Sequence, residues 1–153
     1  MDNASKCRLH KFDGSFSWSE VEKQKYKDEG GFFCGIDRNT LIGNRGEDAK
    51  FELRYFEIGP GGNSSLEKHV HEHAVVCVRG RGKAIVGAQA WDLEFMDVVY
   101  IAPDVPHQLV NTGDEPFGFL CIVDAERDRP RELGPEEIEW LKQSQATKDI
   151  FKA

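Results

Sequence analysis

The sequence has no long apolar run. No stretch reaches the length that crosses a bilayer as a helix. The opening segment, MDNASKCRLHKF, holds no apolar core of the kind that directs export. No membrane partner is expected, and the expected location is cytoplasmic. Paired cysteines are missing too. Cys7, Cys34, Cys77 and Cys121 stand far apart, with no CxxC spacing. In a reducing compartment they read as free thiols. Positive charge is short: 20 Lys and Arg against 27 Asp and Glu leave a net charge of −7. Nucleic acids need a basic face, so no nucleic-acid partner is expected. A small anionic substrate is not excluded, because a few local arginines suffice for it. Internal repeats and low-complexity segments are also absent.

What is present suits one domain. The 153 residues, 39% of them hydrophobic, can build a full core. Residues 1–45 are mixed in character and read as an N-terminal arm, packed on the body or on a dimer seam. One short helix is expected there, within SWSEVEKQKYKDEGG. From Phe51 the pattern changes. FELRYFEI has the aromatic content of a strand, and PGGN then reads as a turn. AVVCVRG, KAIVG, AWDLEF, DVVYIA, HQLVN and FGFLCIVD follow at short intervals, separated by Gly, Pro, Asp and Asn. Regular short strands of this kind predict an all-β sandwich or barrel over residues 46–125. Residues 126–153 read as an extension with a helix in PEEIEWLKQSQ. Pro135 sits at its start, acids fill its first turn, and Ile138, Leu141 and Trp140 are placed to dock it.

The chemistry gathers in one place. Three of the five histidines fall within His69-Val-His71-Glu-His73, two residues after Glu67. His107 follows a Pro-rich turn, APDVPH. Clustered imidazoles with a carboxylate point to a metal. Residues i and i+2 of a strand share a face, so Glu67 and His69 can aim at one ion. His73 would return from the start of the next strand, and His107 from a neighbouring one. A register using His69 and His71 is the alternative. His71 otherwise reads as a solvated turn residue, with a supporting or acid–base role as its second reading.

The stretch PGGNSSLEKHVHEHAVVCVRG, followed by DVVYIAPDVPHQLVN, resembles the two motifs of the cupin superfamily. The resemblance covers about residues 45–125. It implies a jelly-roll, double-stranded β-helix barrel with one metal ion. Counted forward from the Pro-Gly-Gly turn, the first two ligand positions of the family fall on Glu67 and His69. Counted back from Gly80, the third falls on His73. Two positions depart from the family pattern. Glutamate stands where the first histidine is usual, and histidine where the glutamate is usual. The exchange conserves three imidazoles and one carboxylate. Glu67, His69, His73 and His107 are therefore the expected ligands. Met96 and Asp104 replace two glycines of the second motif.

Such ligands suit a divalent ion: Mn, Fe, Ni, Co or Zn. Four protein ligands on an octahedral ion leave two positions open. Those could take a hydroxyketone, with the ion as Lewis acid. Ketose isomerisation, elimination after enolisation and dioxygen insertion all fall within that chemistry. A non-catalytic ligand-binding role is the remaining alternative.

Strand cysteines are usually core. Parity puts Cys77 on the face of His73 but four residues along, about 13 Å away. Cys121 shares a face with Phe117, Phe119 and Val123. RYFEIGPGG, LEKHVHEH, VRGRG, HQLVNTGDEP and FLCIVDAERDRP are similar to small bacterial cupins, and among them to the cupin methylsulfurylases. That resemblance implies 1-methylthioxylulose 5-phosphate as substrate, 1-deoxyxylulose 5-phosphate as product, and Mn²⁺ as the ion. It also implies a reactive thiol at Cys121, released from its methylthio group by a small thiol such as glutathione. Arg54, Arg79, Arg81, Lys83, Arg127 and Arg129 are the phosphate candidates. A homodimer is expected.

Overall fold

A computed structural model describes residues 3–25 and 34–153. A 3-10 turn at Asn3–Lys6, eleven strands and one α-helix follow one another among the described residues. The strands are β1 (Lys23–Lys25), β2 (Cys34–Ile42), β3 (Phe51–Asn63), β4 (Glu67–Lys68), β5 (His73–Arg79) and β6 (Gly82–Val86). β7 (Gln89–Leu93), β8 (Val98–Ile101), β9 (His107–Val110), β10 (Phe117–Asp124) and β11 (Arg131–Glu132) follow, and then α1 (Pro135–Gln143).

All the strand pairings are antiparallel, and together they form a nearly closed barrel. One wall runs β1-β2-β3-β10-β5-β8, and the other runs β11-β4-β9-β6-β7. β3 joins them. Its first half pairs with β10, Ile58 opposite Phe117, and its last residue, Asn63, pairs with Val110 of β9. PGGN is therefore not the turn expected from sequence, since β3 runs through it to Asn63. It is the corner at which one strand crosses between walls, and its glycines supply the bend. Gly61 takes a positive φ of 74° there.

The core lies between the walls. Ile58, Val75, Cys77 and Phe117 come from one, and Ala84, Leu93 and Leu109 from the other. Gly80 turns the chain from β5 to β6 at φ +63°, and a Cβ there would overlap the Pro116 carbonyl. The two replaced motif glycines also occupy left-handed backbone, Met96 at φ 71° and Asp104 at φ 60°. The turns have survived the loss of glycine, with two side chains held in an unfavourable conformation.

The segment expected as an arm contributes β1 and β2. β2 pairs along β3 from Ile36 to Ile42, as part of the barrel sheet. The expected short helix does not occur in the described part of its segment, where Lys23–Lys25 is a strand held by β2; residues 26–33 lie outside the described residues. Phe12, Phe16 and Trp18 gather on Tyr55, covering the outer face of β3. The helix sits where Pro135 and its acidic first turn place it. Leu141 is fully buried, while Trp140 stays exposed. No described helix is long and apolar enough to cross a membrane.

Candidate metal centre

His69, His73 and His107 bring one nitrogen each within 4.8 Å of one another. Three different places in the barrel supply them. His69 follows β4, His73 opens β5, and His107 opens β9. Register explains the meeting: His107 lies opposite Glu67 of β4 and Val86 of β6. The site forms the floor of a cavity of about 240 Å³.

Carbonyl contacts fix two of the tautomers. His69 Nδ1 donates to the His71 carbonyl at 2.6 Å, and His107 Nδ1 to the Val105 carbonyl at 2.8 Å. A carbonyl only accepts, so each Nδ1 carries the hydrogen and each Nε2 presents a lone pair. The His73 and His69 Nε2 atoms are 2.7 Å apart. Burial pushes His73 down to about 2, with His107 and His69 adding to the effect, and pushes His107 down to about 4. His69 is lowered as well, again mainly by burial. Neutral imidazoles with converging lone pairs fit a divalent cation of borderline hardness.

Glu67 lines the same cavity, but its carboxylate stands outside the close group of nitrogens. Loss of hydration raises its carboxyl to about 7, against the opposing charge of Arg54.

His71 is not the solvated turn residue expected. Its side chain is 8% exposed, and its ring stacks on His69 with centroids 3.6 Å apart. Asp128 explains the burial. It accepts from the amides of Val70 and His71 at 2.7 and 2.9 Å, and its Oδ1 lies 2.7 Å from His71 Nδ1. Those contacts, the Val70 amide foremost, hold Asp128 far below the usual carboxylate range. One carboxylate thus clamps the turn that carries His69. No spacing rule links Asp128 to His71, 57 residues away.

The two strand thiols separate. Cys77 is fully buried in the core and does not line the cavity. Cys121 does, with its Sγ 3.2 Å from His73 Nδ1 and 3.4 Å from Arg54 Nη2. Burial raises its thiol, while the Arg54 charge works to lower it. Cys7, Cys77 and Cys121 are free thiols; the Cys34 side chain lies outside the described part. Of the phosphate candidates, Arg54 and Arg127 reach the cavity. Arg79, Arg81 and Lys83 pair with Glu57, Glu94 and Asp92. Arg129 is exposed and does not line the cavity. Arg38 of β2, missed in the sequence because no motif marks it, lines the cavity too.

A small antiparallel barrel with three histidines converging in its cavity defines a class of β-barrel proteins with a group able to hold a metal ion. The comparisons give the family. Residues 54–123 match the cupin domain family. The chain is 42% identical over 121 residues to the 1-methylthio-D-xylulose 5-phosphate methylsulfurylase of Rhodospirillum rubrum, covering 78% of this chain and 76% of that protein. A crystal structure of a cupin-2 domain protein from Rhodospirillum rubrum superposes with a TM-score of 0.80 at 37% identity, over 91% of this chain and 93% of that one. A cupin 2 conserved barrel domain protein from Rhodopseudomonas palustris gives a TM-score of 0.84 at 32% identity, over 96% and 99%. The chain belongs to the cupin family.

Proposed function

We propose that this cupin removes the methylthio group from 1-methylthioxylulose 5-phosphate and leaves 1-deoxyxylulose 5-phosphate. The observation that carries the reading is the Cys121 Sγ, 3.2 Å from the ring of a histidine whose other nitrogen faces the three-histidine group. An isomerase or a dioxygenase has no use for a thiol at that point. The 42% identity to a protein named for this reaction supports it.

His69, His73 and His107, with Glu67 as fourth ligand, would hold a divalent ion, Mn²⁺ in this proposal; Fe, Ni, Co and Zn suit the same donors. The ion would supply Lewis acidity toward the oxygens of a hydroxyketone. The chain's own residues do the rest. With His73 Nε2 engaged, the ring hydrogen belongs on Nδ1 and points at Cys121 Sγ. Arg54 Nη2 donates to the same sulfur. Two donors favour the thiolate, which is the attacking form, against the burial that raises the thiol. The thiolate attacks the methylthio sulfur and becomes a methyl disulfide of Cys121. A small thiol such as glutathione then exchanges it off. Arg38 and Arg127 would receive the phosphate.

Mn-loaded protein, the methylthio substrate and glutathione, followed by phosphorus NMR, test the reading. Conversion by the wild type and none by Cys121→Ala is the expected result. Conversion by both would leave Cys121 without a role. Conversion by neither, with metal bound, would remove the assignment, and oxygen uptake would be measured next.

A further inference from the structure

Arg54 does more in this cavity than one contact explains. It is 8% exposed, near the start of β3, with Cys121 and Thr40 as its cross-strand neighbours. The Phe56 ring lies 4.9 Å from its Cζ. Nη2 is spent on Cys121 Sγ at 3.4 Å. Nε is buried and has no hydrogen-bond partner among the described residues. Glu67 feels the Arg54 charge without accepting from that nitrogen. Arg127, the other cavity cation foreseen from sequence, is held by Glu52. A buried donor left without an acceptor is costly, and here the unmet N–H belongs to a charged group lining a cavity. The Nε–H and one Nη2–H of a guanidinium lie on the same edge, side by side, in the arrangement that takes two acceptors at once.

We propose that Arg54 is a catalytic residue of the methylthio transfer, holding Cys121 Sγ through Nη2 and the oxygen on C2 of the substrate through Nε. This role rests on the function proposed above. In that reaction the Cys121 thiolate forms a bond to the methylthio sulfur, and the bond from that sulfur to C1 breaks. Its electron pair moves into C1 and C2, and the C2 carbonyl oxygen becomes an enolate oxygen. C1 then takes one proton from water and is a methyl group, reduced by two electrons. The two sulfurs are oxidised to the disulfide, which a small thiol reduces. The attacking sulfur and the oxygen that receives the charge are thus separated only by the methylthio sulfur, C1 and C2. One rigid guanidinium edge spans the two ends of that electron flow. A donor already aimed at the developing charge is worth most in a site shielded from water.

The test compares the wild type with Arg54→Met and Arg54→Lys. Arg54→Met keeps the length of the side chain without a charge; Arg54→Lys keeps the charge without the two-donor edge. Melting and metal content establish that each is folded and loaded. Both should lose kcat by about 100- to 1000-fold with KM changed less than about threefold, as for other oxyanion donors. The second readout is oxalate, a planar anion resembling an enolate, titrated calorimetrically into Mn-loaded protein. Its affinity should fall more than about tenfold in both variants, as loss of a charge-assisted bond implies. Oxalate bound equally by all three proteins overturns the proposal. So does a kcat loss matched by an equal loss in the rate of Cys121 alkylation by iodoacetamide, because Arg54 would then act on the thiol alone. If the wild type converts no methylthio substrate while oxalate binding still depends on Arg54, the function proposed above fails and takes this role with it, leaving an anion contact.

Discussion

Replacing Glu67 with glutamine should make the metal-free protein more stable and the metal-loaded protein weaker. The Glu67 carboxyl is raised from 4.5 to about 7 because burial strips its hydration and Arg54 compensates only in part. In the unfolded chain the same group ionises near its ordinary value. The folded state therefore holds the proton more tightly. Its stability contribution is fully present below pH 4.5 and is lost as pH rises through about 7. The whole interval corresponds to roughly 3 kcal/mol at pH 8, an upper bound. Glutamine keeps the shape and removes the titration. Urea melts in EDTA should then show Glu67→Gln gaining about 1–3 kcal/mol over wild type at pH 8, relative to their difference at pH 4.5. The depressed values of His73 and His107 weaken both proteins as pH falls below 6.5, so they cancel in the comparison. Metal affinity should move the other way. With those two histidines neutral above about pH 5, Glu67 is, on the ligand set proposed above, the donor whose proton would compete with the ion. Wild-type affinity should climb between about pH 6 and 8, and Glu67→Gln should flatten the climb. A variant no more stable at pH 8 than at pH 4.5, relative to wild type, would mean that Glu67 ionises over the same range in the folded and the unfolded protein. The reasoning from burial would then be wrong.

Asp128→Asn removes an acceptor from the clamp on Val70 and His71 and should weaken metal binding about 10- to 100-fold, read by competition with a chromogenic chelator; unchanged affinity would make the clamp ornamental. Met96→Gly should stabilise the fold by about 0.5–1 kcal/mol in thermal melts, because Met96 sits at φ 71° with its side chain 59% exposed. A loss of stability there would show that the side chain packs to some purpose. Gly82→Ala should cost about 1–3 kcal/mol, since a Cβ at Gly82 would overlap the Phe117 ring at the centre of the barrel. A neutral result would show that Phe117 has room to turn.

Most of the barrel could be read in the sequence because its strands alternate against one core. FELRYFEI, AVVCVRG and FGFLCIVD became β3, β5 and β10 with the apolar faces expected of them. β2 was missed for a physical reason. CGIDRNTLI turns polar residues to both sides: Arg38 lines the cavity on one face, and Asn39 is buried on the other. Alternation fails where a strand wall is also a ligand wall. β4 and β11, two residues each, carry no period at all. Spacing brought out the three histidines, but the burial of His71 depended on an aspartate 57 residues distant. The distance between Cys121 and His73 needed the register of β10 on β5, in which Val123 faces His73 and Cys121 faces Val75.

That register also gives the histidine–glutamate exchange a chemical meaning. Counted as charges, the exchange conserves the set. Counted as geometry, it does not. A carboxylate at position 73 would place both oxygens at one end of a short side chain. An imidazole has its two nitrogens on different sides of a rigid ring. At His73 one nitrogen faces His69, and the other reaches Cys121 Sγ at 3.2 Å. A charge change on the first nitrogen is felt at the second, because one ring carries both. Glutamate at the same place would serve the ion and leave the thiol to Arg54 alone. On the proposed function, histidine at position 73 joins the metal position to the sulfur nucleophile. Glu67, opposite His107 in the register, restores the carboxylate that the exchange removed. On that function, the departure from the usual pattern of the family would be the feature that connects a metal position to a thiol.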